Sequence, residues 1–231
     1  MTQEIRLFGA IAVRPAVLAL ICRFETDTGF TVALKWELNP VVVKKQIEAG
    51  EPFDLVITNP NLVEDLTALG KVKAGSEVAF GRIAMGVAAK AGGRPLDIGS
   101  VEAFKHALKS ARSIAYASEG SSGGYFSGLL ERLGIADEVM PKLVAISGGQ
   151  TAPAVGRGEA ELGVVPVTSI LAAAPEVMLV GRFPAELQSY IDFAIGISAD
   201  STDAEAARQL SEFLTSIAVD DILAAKGVER C

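Results

Sequence analysis

The chain has 231 residues, 50% of them hydrophobic and 21% charged, enough apolar side chain to fill one large core or two modest ones in a soluble globular protein. A formal net charge of −7 and a pI near 4.9, with the lysines and arginines scattered, argue against nucleic acid and anionic membranes as main partners. Two cysteines, Cys22 and Cys231, and one histidine, His106, give neither a metal-ligand spacing nor a disulfide framework, so no metal and no cofactor is expected.

The N-terminal apolar stretch does not read as a secretion signal. Arg14-Pro15 splits it, Glu4 sits where a basic leader would be, and Ile21 precedes Cys22 where a lipoprotein cleavage box needs a small residue. The Met-Thr-Gln-Glu start predicts a cytoplasmic chain, or a periplasmic one if a leader has been removed. No segment is long enough to span a membrane.

Strands alternate with helices along the chain. Ile5 to Phe8 reads as a strand, Pro15 to Thr26 as a helix with proline in its first turn, Thr31 to Trp36 as a strand and Val41 to Glu48 as a helix. Phe53 to Ile57 is a buried strand with Asp54 in a structural role, and Asn61 to Leu69 a helix closed by Gly70. This series implies a parallel sheet. A long apolar run, Val78 to Ala89, precedes a helix at Ser100 to Ser110 and a strand at Ser113 to Ala117. Further strands are expected at Leu143 to Ile146, Leu162 to Val165 and Val177 to Val180, with helices at Thr151 to Arg157 and Thr168 to Ala173. A second long apolar run, Ile191 to Ser198, and helices at Ala204 to Ser216 and Val219 to Lys226 finish the chain. Two such runs around an α/β block suggest two crossings between a pair of lobes, and so a ligand cleft at the carboxyl ends of strands.

The most informative stretch is Ala117-Ser-Glu-Gly-Ser-Ser-Gly-Gly-Tyr125, a strand running through glycines and serines into a helix. Unpaired N–H groups at such a helix start, backed by the dipole, can hold a carboxylate or oxyanion. Gly120-x-Ser122-x-Gly124 also matches the nucleophile elbow of serine hydrolases. That chemistry needs a histidine base, normally after the serine in chain order, and His106 lies upstream on the polar side of a helix. An anion cradle is therefore expected, with Ser121, Ser122 and Gly123 as ligand contacts and plain N-capping as the alternative for the two serines. Thr58 and Asn59 open the helix after the third strand, either as ligand contacts or as a capped turn. Gly149 and Gln150 offer another exposed helix start, or a flexible loop. Tyr190, beside the second apolar run, is read either as a hinge aromatic or as a residue that reaches the ligand.

Several fragments, in order, resemble one family. Ile5-Arg-Leu-Phe-Gly-Ala-Ile-Ala, Phe24-Glu-x-x-Thr-Gly29, Lys45-Gln-Ile-Glu-Ala-Gly50, Phe53-Asp-Leu-Val-Ile57, Leu130-Glu-Arg-Leu-Gly134, Arg157-Gly-Glu-Ala-Glu-Leu-Gly-Val and Ala224-Ala-Lys-Gly227 look like the molybdate-binding periplasmic proteins of ABC transporters. The resemblance implies an α/β, two-lobed type II periplasmic-binding-protein fold with two interlobe crossings. One lobe would be 1–79 plus 194–231 and the other 80–193. It also implies a solute-binding protein that closes two lobes around a small anion by hinge motion, with an ABC permease as partner if the chain is exported.

The family's ligand contacts are altered. Its first strand leads to a serine whose hydroxyl binds the oxyanion, and here that position is Ala12. The second serine-rich loop becomes Asn39-Pro40-Val41, and the family's tyrosine is matched by Pro166. A tetrahedral oxyanion needs many neutral donors, and each one lost leaves charge unsatisfied at about 1–3 kcal/mol, so molybdate is a poor fit. Arg14, in the first loop, supplies a bidentate fork suited to a planar carboxylate, or is a solvated arginine at a helix start. The expected ligand is a small organic carboxylate. The alternative is an enzyme: the same scaffold supports an aconitate isomerase that resembles this family and moves a proton and double bond in a small di- or tricarboxylate, for which Glu119 or Tyr125 are candidate bases.

Overall fold

The computed structural model of the chain describes residues 4–37, 39–119, 121–147 and 149–230. It divides into two compact units, Met1–Arg82 with Asp192–Cys231, and Ile83–Ile191. Ten strands and ten α-helices are found among the described residues.

The first unit begins with β1 (Glu4–Ala10), a 3₁₀ turn at Ile11–Val13 and α1 (Arg14–Thr28), which ends at Gly29 in the left-handed conformation. Next come β2 (Thr31–Glu37), α2 (Pro40–Glu48), β3 (Leu55–Thr58) and α3 (Pro60–Ala68). Proline opens α2 and α3, where its missing N–H has no intrahelical partner to lose. β1 pairs in parallel with β2 and β3, Leu7 lying opposite both Leu34 and Leu55. The long β4 (Val78–Lys90) leads out of this unit into the second.

The second unit continues with α4 (Val101–Ser110), β5 (Ile114–Ala117), α5 (Ser121–Arg132) and the short α6 (Ala136–Val139). It is completed by β6 (Leu143–Ile146), α7 (Thr151–Arg157), β7 (Leu162–Pro166), α8 (Val167–Ala172) and β8 (Val177–Arg182). Strand β9 (Tyr190–Ile197) returns to the first unit, where α9 (Ala204–Thr215), α10 (Asp220–Ala225) and β10 (Val228–Glu229) follow. Strand β9 pairs antiparallel with β3, so the first unit's order is β2-β1-β3-β9. In the second, β6-β5-β7 are parallel and β4 is antiparallel to both β7 and β8.

Helices cover both faces of each sheet, and the alternation of side chains shows it. On β7, Leu162 and Val164 join Phe104, Phe126 and Leu130 on one side, while Val165 joins Ala152 and Ile170 on the other. In the first unit Phe8 and Val56 pack with Val43, Ile47 and Leu66 of α2 and α3. Helix α1 packs on α9 and α10 instead, with Phe24 and Phe213 centroids 5.4 Å apart.

Asp54, expected within a strand, lies just before β3 and is 3% exposed. Arg6 of β1 donates to it from its backbone N–H at 2.9 Å, from Nε at 2.8 Å and from a terminal nitrogen at 2.9 Å, and the Ser201 hydroxyl donates at 2.8 Å. Burial pushes this carboxyl up, but the Arg6 and Ser201 hydrogen bonds and the Arg6 charge outweigh burial and hold it below the usual range. Asp54 therefore ties three segments distant in sequence. Cys22 is on α1 as expected, but on its exposed side.

Candidate functional site

In a parallel sheet the carboxyl ends of the strands share one edge, and the sequence-derived residues fall on two such edges, one in each unit. In the first unit β1, β2 and β3 end together, since Ala10 lies opposite Glu37 and Gly9 opposite Ile57. Ala12 sits in the 3₁₀ turn after β1, and Arg14 is the first residue of α1. The Arg14 side chain is exposed and has no ion pair or hydrogen bond among the described residues. A cation at a helix start is opposed by the dipole, so this guanidinium stands where an anion would be welcome.

Asn39 caps α2, its side-chain oxygen accepting from the Val41 N–H at 2.8 Å, which leaves its amide N–H groups to offer an anion. Asn59 makes no such cap. Its side-chain nitrogen donates to the Asp192 carbonyl at 3.4 Å, while its own carbonyl accepts from Leu62 and Val63. Thr58 is 1% exposed and its Oγ1 has no partner among the described residues, an arrangement that costs about 1–3 kcal/mol unless something pairs with it.

In the second unit β5, β6 and β7 end together, Ala117 opposite Ile146 and Tyr116 opposite Val164. Ser122 and Gly123 are in the first turn of α5. The side chain of Ser121, and all of Gly120, lie outside the described residues. A Cβ built on Gly123 would come 1.9 Å from the Ala117 carbonyl oxygen, so the helix start lies directly against the end of β5 and only glycine fits. Ser122 is inside the helix and no described non-glycine residue has a positive φ, whereas a nucleophile elbow places its serine on a strained turn before the helix. His106, on α4, is exposed and 3.4 Å from the Ser110 hydroxyl.

Gly149 takes φ +80°, which the turn before α7 requires, and Gln150 is exposed at that helix's N-cap with no side-chain cap bond. Pro166 is buried at the end of β7, where it offers no N–H and no hydroxyl. Tyr125 donates its hydroxyl to the Leu187 carbonyl at 2.8 Å and lies under the Arg132 guanidinium, so it fastens α5 to the chain before β9. Glu119 is exposed at the tip of the loop, and Tyr190 is half-buried at the first residue of β9.

Three further polar groups were not among the expected contact residues. Among the described residues, the Thr151 Oγ1 at the start of α7, in a residue 2% exposed, and the buried Gln188 Oε1 have no partner, while the Gln188 side-chain nitrogen donates to the Ser189 carbonyl. Trp36 covers Gly9, whose Cβ would sit 2.3 Å from the indole, at the strand end that leads to Ala12. Only the Gly9–Trp36 closeness had a signal in the sequence, a glycine inside an apolar strand. Among the described residues no group of three or more His, Cys, Asp or Glu could hold a metal, and no helix is long and apolar enough to cross a membrane.

Comparison with known proteins defines the class. The family model described as bacterial extracellular solute-binding protein matches residues 5–229, and the chain belongs to that family. Its fold is that of the periplasmic molybdate-binding protein of Azotobacter vinelandii, with a TM-score of 0.79 at 21% identity over 97% of this chain and 98% of that one. The substrate-binding domain of a putative molybdenum ABC transporter from Clostridium difficile gives 0.78 at 18% identity, with both chains covered in full. These neighbours establish the type II periplasmic-binding-protein fold. In sequence the chain is more similar to a curated aconitate isomerase of Pseudomonas sp., 32% identical over 178 residues, which is 77% of this chain and 67% of the relative.

Proposed function

We propose that this solute-binding protein takes a small organic carboxylate, with a di- or tricarboxylate as the substrate class, and not molybdate. The observation that carries the reading is the chemistry of the first loop. Ala12 and Pro166 stand where the molybdate-binding pattern supplies hydroxyls, while Arg14, two residues from Ala12, is exposed and has no ion pair or hydrogen bond among the described residues. A guanidinium fork matches a carboxylate in plane and in charge. The higher identity to the aconitate isomerase than to the molybdate-binding neighbours supports the same class of ligand.

Replacing Arg14 with alanine should weaken tricarboxylate binding by about 1.5–3 kcal/mol, or roughly ten- to 150-fold, as expected for a direct charge-assisted pair. Folding should barely change, because the side chain is exposed and makes no hydrogen bond or ion pair among the described residues. Titration calorimetry on R14A with trans-aconitate and citrate checks it; parent-like affinity for both would remove Arg14 from the site.

A second reading, catalysis of a proton and double-bond shift in the bound acid, is favoured by one observation, the 32% identity over 178 residues to an isomerase. It needs a base. Tyr125 already donates to a backbone carbonyl, which leaves Glu119 as the better placed of the two candidates. Proton NMR of trans-aconitate incubated with the protein separates the readings. Appearance of the cis isomer, slowed in E119Q, supports catalysis, and an unchanged spectrum with saturable binding leaves a binding protein.

A further inference from the structure

The second unit has a pocket of about 600 Å³ at the end of its sheet opposite to the loops described above. Ser113 and Glu161, which border it, precede β5 and β7, whereas Ser122 and Pro166 belong to the other ends of those strands. Four residues of strand put about 13 Å between the two ends. The volume is in the range of small-molecule sites.

Its walls divide by chemistry. Leu96, Ala111 and Leu162 give an apolar floor, while Lys90, Arg94 and Arg112 bring three cations to the rim against one carboxylate, Glu161. That carboxylate is taken up by Arg112, whose backbone N–H and Nε donate to it at 2.8 and 3.1 Å. Lys90 and Arg94 have no side-chain partner among the described residues, in a chain of net charge −7 where acids are plentiful. The end of α4 does not account for them either, since the Lys109 carbonyl there already accepts from Lys142.

We propose that this pocket is a second ligand site, for an organic monoanion with an apolar body, whose acid group meets Lys90 and Arg94 and whose carbon skeleton lies on the Leu96 and Leu162 floor. The mixed wall is what selects it: a bare inorganic anion leaves the floor wet, and a neutral apolar molecule leaves the cations unmatched. The site is independent of the one that includes Arg14.

Calorimetry of the full chain with sodium octanoate and with sodium acetate tests it. Octanoate should bind saturably, about one per chain, and at least about tenfold more tightly than acetate, which lacks the body that covers the floor. The double variant K90E/R94E should weaken octanoate at least about tenfold, with K90Q/R94Q as a milder version if the first folds poorly. K45E, an exposed charge change in the first unit, should leave octanoate binding as in the parent. Absence of saturable octanoate binding, equal affinity for acetate, or parent-like affinity in both double variants would overturn the proposal.

Discussion

Replacing Asp54 with alanine should destabilise the protein by about 3 kcal/mol, or roughly 6–12 °C in Tm for a chain of this size. The carboxylate is buried and accepts hydrogen bonds from Nε and one terminal nitrogen of Arg6, the Arg6 backbone and Ser201, so its loss frees three segments at once. Arg6 is one-third exposed, which lets water take over part of its charge and keeps the cost below that of a fully buried orphan. The pH dependence has a definite sign. Because the folded Asp54 carboxyl lies below its ordinary value, its contribution is fully present above the unfolded pKa of about 3.9 and is lost as pH falls through the folded one. Thermal melts of parent and D54A should stay apart from pH 7 down to about pH 5 and converge below about pH 4. Curves that run parallel through that range would mean Asp54 is not the charged partner of Arg6.

Alanine at Gly123 should cost about as much, near 3 kcal/mol at the upper end for overpacking, and should also abolish ligand binding at the α5 start. The new Cβ meets the backbone of Ala117 and Ser118, which cannot rotate away as a side chain would, so the helix start must leave the strand end. Two glycines of the same helix provide the control. Gly124 and Gly128 have nothing within 4 Å of a built Cβ and ordinary helical φ, so alanine there should stabilise by up to about 1 kcal/mol through helix propensity. Chemical denaturation of G123A, G124A and G128A measures all three. Equal, small effects at the three positions would show that α5 does not begin against the end of β5.

Alternation and punctuation in the sequence were enough to place most elements. The run Leu143 to Ile146 is β6 and Thr151 to Arg157 is α7 as expected, because a short continuous apolar run between turn residues and a helix ended by glycine are local signals. Strand direction was not local. The antiparallel setting of β9 on β3 and of β4 on β7 depends on partners far along the chain, whereas the parallel sheet implied by the first three strands is found in β1, β2 and β3. The four-residue α6 is too short to show a helical period. At the site, polar residues such as Asn39 and Ser122 could be named from their types, but the orphaned Thr151 hydroxyl and the Trp36 cover on Gly9 arise from packing. The Arg6–Asp54 pair was also out of reach, since 48 residues separate its members.

The central claim is that a carboxylate and not a tetrahedral oxyanion is the ligand, and side-by-side calorimetry of the parent chain with trans-aconitate, citrate and molybdate tests it most directly. Trp36, the single tryptophan, covers the strand end before Ala12 and gives an independent fluorescence readout of the same titrations. A di- or tricarboxylate should bind saturably, and molybdate should bind at least about a hundredfold more weakly or not at all, since each missing neutral donor costs about 1–3 kcal/mol. Submicromolar molybdate binding, with the carboxylates inert, would contradict the account.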